Sequence, residues 1–170
     1  MKIQLFTVLL LVFVITACKK EEDDPSPVAN YQPIVPIDTT GNDTTALAFA
    51  RLQFHIQTFQ NTNGQLVAAL FNTSANYSNN IIYKSLFSPI DSIIIDIAFD
   101  SIPPGEYSFS CFHDANSNNV LNQNIFGLPT EGYGFSNNPG LTFGPPPFSQ
   151  IKFNVLPSDT ITLNVNLIYL

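Results

Sequence analysis

From Ala48 onward the chain keeps one rhythm, in which apolar and polar residues alternate. Ala48, Ala50, Leu52, Phe54 and Ile56 interleave with Phe49, Arg51, Gln53, His55 and Gln57. Successive side chains of a strand point to opposite faces, so a period of two predicts a half-buried strand. The rhythm returns at Ile93, Ile95, Ile97 and Phe99, at Tyr107, Phe109 and Cys111, and at Ile161, Leu163, Val165, Leu167 and Tyr169. Asn61-Thr62-Asn63-Gly64 predicts a turn into a strand over Gln65 to Phe71, so the first two strands are expected to form a hairpin. A second hairpin is expected at the end, turning at Pro157-Ser158-Asp159 between Gln150–Leu156 and Thr160–Tyr169. Asn76 to Pro89 mixes helical and strand signals and is expected to hold a short helical turn or an edge strand.

These elements predict an all-β chain, a single β-sandwich of about six to eight strands spanning 46–170 with one long ordered loop. The run Ile102-Pro103-Pro104-Gly105-Glu106-Tyr107 resembles the turn-strand signature of transthyretin-like modules. An immunoglobulin-like topology is the alternative.

The N-terminus reads as an address. Lys2 is followed by an apolar run from Leu5 to Ile15 and then by Thr16-Ala17-Cys18. Charge, a short apolar core and small residues in that order predict a secretory signal over 1–17. The run is shorter than the roughly 20 residues a spanning helix needs. The cysteine at the cut resembles the lipobox of bacterial lipoproteins, which implies lipidation of Cys18 and attachment to a membrane through acyl chains. Lys19-Lys20-Glu21-Glu22-Asp23-Asp24 resembles the surface-export signal of Bacteroidota lipoproteins. The resemblance implies outer-membrane anchoring with the protein facing outward.

Residues 25–45 form a predicted linker, stiffened by Pro25, Pro27, Pro33 and Pro36 and poor in apolar residues. Asp38-Thr39-Thr40 and Asp43-Thr44-Thr45 resemble the O-glycosylation sequon of Bacteroidota, with Thr39 and Thr44 as acceptors.

The formal net charge is −7, and beyond Ala46 the basic residues are only Arg51, Lys84 and Lys152. Nucleic-acid binding needs a basic footprint, so that class is excluded. Cys111 alternates with core positions and is expected to behave as a small buried hydrophobe.

Asp114 to Phe148 breaks the rhythm. A connection of this length is uncommon in a compact domain and is usually functional or disordered. Leu121, Ile125, Phe126, Leu128, Tyr133, Phe135, Leu141, Phe143 and Phe148 give it apolar surface to bury, which predicts an ordered loop packed over the sandwich. Within it, Asp114, Asn116 and Asn118 stand two residues apart, as in the first places of an EF-type loop, with the Val120 carbonyl and Asn122 next in line. One carboxylate with neutral amides implies weak calcium affinity, and Ile125 stands where such a loop carries its glutamate. An Asx-rich turn that satisfies its own backbone is the favoured reading, so no cofactor is expected.

His113, Glu131 and Tyr133 are expected to order the loop, with Glu131 returning to meet His113. A hydrolase using His113 and Glu131 for proton transfer is the enzymatic alternative. No Gly-x-Ser-x-Gly elbow, His-Glu-x-x-His helix or phosphate-binding glycine loop is present.

The run from His113 to Asn124, followed by Gly127-Leu128-Pro129-Thr130-Glu131-Gly132 and by Gly144-Pro145-Pro146, resembles the bacterial domain of unknown function 2141. That resemblance spans approximately Leu52 to Tyr169. It implies an exported β-domain and assigns no reaction. The family glycine and second aspartate are Asn119 and Asn122 here. The expected function is therefore a non-catalytic binding or interaction module of the cell envelope, with carbohydrate or an envelope protein as partner. A purely structural envelope component is the other alternative.

Overall fold

The computed structural model describes residues 48–140 and 144–170. The signal over 1–17, Cys18, the export-like run, the linker with Thr39 and Thr44, and Leu141 and Phe143 lie outside the described residues. Among the described residues no helix is long and apolar enough to cross a membrane.

Eight strands and two short helices follow in order: β1 (Ala50–Gln57), β2 (Gln65–Phe71), α1 (Ser74–Ser78), β3 (Lys84–Pro89), β4 (Ile94–Ile102), β5 (Gly105–Asp114), β6 (Tyr133–Phe135), α2 (Phe148–Ile151), β7 (Lys152–Val155) and β8 (Thr160–Asn166). They build two layers. One sheet has the order β4-β1-β8, and the other has β3-β2-β5 with β6 and β7 side by side along the far edge of β5. β1 pairs antiparallel with β4 and parallel with β8. The all-β sandwich with a long loop is the architecture expected from the alternating pattern.

The core lies where the inward faces meet. Phe54 of β1 stacks on Phe109 of β5 across the layers, with ring centroids 3.8 Å apart. Phe99 meets Phe54 edge-on at 6.1 Å, and Leu52, Ile56, Leu66, Leu70, Ile102 and Val165 have no exposed surface. Fully burying one such side chain stabilises by about 1.5–3 kcal/mol. Cys111 is buried among them, as its alternation implied.

Both predicted hairpins are corrected. β1 and β2 lie in different sheets, and so do β7 and β8. The turns exist, but they carry the chain from one layer to the other. Between β1 and β2, Thr58 adopts a φ of 69° and Phe59 is buried, which swings the chain over the end of the sandwich. Between β7 and β8, Ser158 has a φ of 59°. The alternation of each strand is satisfied equally well by a partner across the core as by one alongside, so adjacency in sequence did not decide pairing.

The ambiguous stretch holds both predicted elements, a helical turn (α1) and an edge strand (β3). Tyr77 of α1 donates to the Pro146 carbonyl at 2.9 Å, and Tyr107 of β5 donates to the Pro103 carbonyl at 2.9 Å.

Burial pushes the Tyr77 and Tyr107 hydroxyls up to about 12, with the neighbouring Tyr83 adding to the shift at Tyr107. Burial also pushes the Cys111 thiol up. Each group keeps its proton in the folded state at a pH where the unfolded chain has released it. Stability is therefore full below the unfolded values, about 8.5 for a thiol and 10 for a tyrosine, and is lost as pH rises toward 12. The urea midpoint is expected to fall between about pH 8 and pH 11. A midpoint that held or rose would contradict the burial of these groups.

Candidate functional site

The end of β5 governs the long loop. His113 and Asp114 are its last two residues, and both are buried, at 1% and 0% exposure. As neighbours on a strand they point to opposite sides, and each secures a different part of the chain.

His113 lies edge-on to Phe59 and Tyr169. Its Nε2 is 2.7 Å from the Asn63 carbonyl, which can only accept, so Nε2 carries the proton. Nδ1 then accepts from the Tyr169 hydroxyl at 2.8 Å, and that oxygen accepts from the Gln60 N–H at 3.3 Å. Burial raises the Tyr169 hydroxyl above its ordinary value. Glycine is required at two contacts here. Gly64 has a φ of +72°, and a Cβ there would stand 2.0 Å from the Asp114 carbonyl oxygen. A Cβ on Gly132 would stand 2.2 Å from the Tyr169 ring.

Asp114 faces the loop. Its Oδ1 accepts from the Asn118 N–H at 3.0 Å, and its Oδ2 accepts from the Asn119 N–H at 2.8 Å and from Gln65 Nε2 at 2.9 Å. Glu131 closes the loop from its other end, and its partners differ from the expected one. Its Oε1 accepts from the Ala115 N–H at 3.0 Å and its Oε2 from the Asn122 N–H at 2.9 Å. The expected Glu131–His113 contact is corrected: the connection between these segments is the His113 N–H on the Gly132 carbonyl at 2.8 Å. Tyr133, the first residue of β6, pairs with Phe112 of β5 and exchanges backbone hydrogen bonds with Ile168 at 3.0 and 2.8 Å.

The asparagines satisfy the backbone and one another. Asn116 Oδ1 accepts from the Asn118 N–H, and Asn118 Oδ1 accepts from the Val120 N–H, at 3.1 and 2.9 Å. The amide nitrogens of Asn116 and Asn118 both donate to Asn122 Oδ1, at 3.0 and 3.1 Å. Asn119 adopts a φ of 62°, the conformation a glycine supplies without strain, and asparagine tolerates it better than most residues. Among the described residues no three His, Cys, Asp or Glu side chains gather as a metal-ligating group.

Beyond Asn122 the loop forms a small hairpin. Gln123 bridges Pro129, and Asn124 Oδ1 accepts from the N–H groups of Phe126 and Leu128 at 2.9 and 3.1 Å. At the tip, Ile125 is 94% and Phe126 76% exposed. This corrects the expectation that Ile125, Phe126 and Leu128 would be buried; Tyr133 and Phe135 are half-buried and Phe148 is buried. The tip folds on its own hydrogen bonds and does not reach back to the sandwich.

A polar trough of about 480 Å³ on the outer face of the β4-β1-β8 sheet escaped the sequence reading. Arg51, Gln53, His55, Asp96, Thr162 and Asn164 line it above Ala98. Alternation placed Arg51, Gln53 and His55 on the outer face of β1. The residues beside them could not be identified without the pairing of β1 to β4 and β8.

Asp114→Asn puts an amide NH2 where an oxygen now accepts, and is expected to cost about 1.5–3 kcal/mol in urea unfolding; no measurable loss would remove Asp114 from its organising position. Calcium in millimolar excess over chelator is expected to leave the melting temperature unchanged, because both carboxylates already accept N–H donors. A rise of several degrees would show that the loop exchanges those donors for a cation.

Comparison with family models matches residues 54–162, more than half of the chain, to a family described as "Uncharacterized protein conserved in bacteria (DUF2141)". No curated protein and no solved structure matches. The matched span runs from Phe54 in β1 to Thr162 in β8 and takes in the whole loop from His113 to Glu131, so the chain belongs to this family of uncharacterised conserved bacterial proteins.

Proposed function

We propose that this protein is a non-catalytic interaction module of the bacterial cell envelope. It is anchored to the outer membrane by acyl chains on Cys18, faces outward, and engages an apolar groove on a neighbouring envelope protein through the Ile125-Phe126 tip. The signal-like N-terminus, the lysine–acidic run and the proline-rich linker support the location. The observation that carries the binding role is the tip, where two large apolar residues are held exposed by a hydrogen-bonded hairpin.

The surroundings of His113 support a non-catalytic reading over a hydrolytic one. A general acid or base must reach a substrate proton directly or through one water. Both ring nitrogens of His113 already hold protein partners, and Glu131 binds two backbone N–H groups. A loop that merely capped the sandwich would bury its apolar residues, which favours binding over a purely structural role.

Burying Ile125 and Phe126 in a partner contributes about 1.5–3 kcal/mol each. Ile125→Ser with Phe126→Ser is expected to weaken retention of an envelope protein by about 100-fold or more while leaving the melting temperature unchanged. Equal retention by wild type and the double variant would end the proposal for the tip. Labelled palmitate is expected to enter the wild type and not Cys18→Ser, and an unlabelled full-length wild-type chain in the soluble fraction would end the anchoring proposal.

A further inference from the structure

The outer face of the β4-β1-β8 sheet is organised as rows of three. Strand register sets Ala98, Gln53 and Thr162 in one row and Asp96, His55 and Asn164 in the next. Arg51 and Thr160 begin a third row, and Arg51 reaches Asp100 on β4. Ala98 is the small residue of this face, and its neighbours stand around it, which opens the trough of about 480 Å³. Ligand pockets run to about 300–1,000 Å³.

Each acidic side chain on this face has a partner. Arg51 meets Asp100 at 2.5 Å, and His55 Nδ1 meets Asp96 at 2.6 Å. The one arginine lining the trough is paired, so the trough offers no free cation to draw in an anion. What it offers is a mixed set of donors and acceptors. Thr162 donates to Gln53 Oε1 at 3.1 Å, which holds the Gln53 amide in place. Gln53 Nε2, the Asn164 side-chain amide and His55 Nε2 have no protein partner among the described residues. Asp96 Oδ2 and the Thr162 oxygen add acceptors.

We infer that this trough is a saccharide-binding site, taking a neutral oligosaccharide whose pyranose ring lies flat on the sheet. Each sugar hydroxyl both donates and accepts, so it is matched by amides, a hydroxyl, an imidazole and a carboxylate interleaved on one plane. Strands are spaced about 4.8 Å apart, and same-face residues about 6.7 Å apart along a strand. This grid has the scale of a sugar ring and its hydroxyl groups. Ala98 leaves room for the ring itself. The residues lining the trough include no phenylalanine, tyrosine or tryptophan, so millimolar affinity is expected. The site is independent of the loop tip.

The test is an NMR titration of the isotope-labelled full-length chain in detergent micelles with maltotriose, cellotriose, mannotriose and chitotriose, and with sialyllactose as an anionic comparison. At least one neutral trisaccharide is expected to shift the amide signals of Gln53, His55, Ala98, Thr162 and Asn164 saturably. Ala98→Leu fills the trough from the solvent side and is expected to weaken binding by about tenfold or more at unchanged melting temperature. Should Ala98→Leu fail to fold, Gln53→Ala with Asn164→Ala carries the same readout. Phe126→Ser is expected to leave saccharide binding intact, which separates failure here from failure of the tip. The inference is overturned if no neutral trisaccharide saturates the shifts at tens of millimolar. Shifts elsewhere on the chain, wild-type binding by the trough variants, or a preference for sialyllactose overturn it equally.

Discussion

A carboxylate with no exposed surface persists only where donors take the place of water. Asp114 meets that condition through two backbone N–H groups of the turn that follows it and the amide of Gln65. Gln65 is the first residue of β2 and the register partner of Asp114 across the β2–β5 ladder. One side chain therefore ends the longest strand, forms the turn and fastens that turn to the neighbouring strand. Glu131 repeats the device from the far end of the loop, accepting from Ala115 and Asn122. Most residues between these two carboxylates are exposed, so the loop has little apolar burial to hold it. Its order comes from charge-assisted hydrogen bonds, which are individually stronger than neutral ones.

On the other side of the same strand end, His113 does comparable work for the fold. It joins the Asn63 carbonyl in the β1–β2 crossover to the hydroxyl of Tyr169 near the C-terminus. The strand end thus ties together three distant segments, and the close approach explains why Gly64 and Gly132 carry no side chain. The residues that looked most like chemistry in the sequence hold partners within the fold. A histidine, an aspartate and a glutamate lie within a short stretch, yet each faces a different set of partners.

The strands themselves were legible because burial writes a period of two into them: Leu52, Phe54 and Ile56, and Ile95, Ile97 and Phe99, are buried as their spacing implied, whereas Ile93, ahead of β4, is exposed. Their partners were not legible. The pattern Gln53-His55 records that a face is polar, but nothing in it says that Ala98 and Asp96 stand on one side and Thr162 and Asn164 on the other. The parallel pairing of β1 with β8 joins strands about a hundred residues apart, and the connections β1–β2, β3–β4, β4–β5 and β7–β8 carry sequence neighbours into opposite layers. In the loop, the Asx-turn chemistry was readable from residue types, because Asn and Asp side chains bond the backbone two residues on whatever the fold around them. The fate of the apolar residues was not, since composition cannot distinguish an inward hairpin from an outward one.

That outward direction is the more informative outcome. Single exposed apolar residues are ordinary on protein surfaces. Ile125 and Phe126 differ because they are adjacent and because Asn124 fixes the chain beneath them, with its own N–H and side-chain oxygen both engaged with the strand that returns. A tip held this way has already lost much of the conformational freedom that binding would otherwise remove. Preorganisation of that kind raises affinity without adding contacts. The same hydrogen bonds fix the local shape of the hairpin on which the two side chains stand exposed.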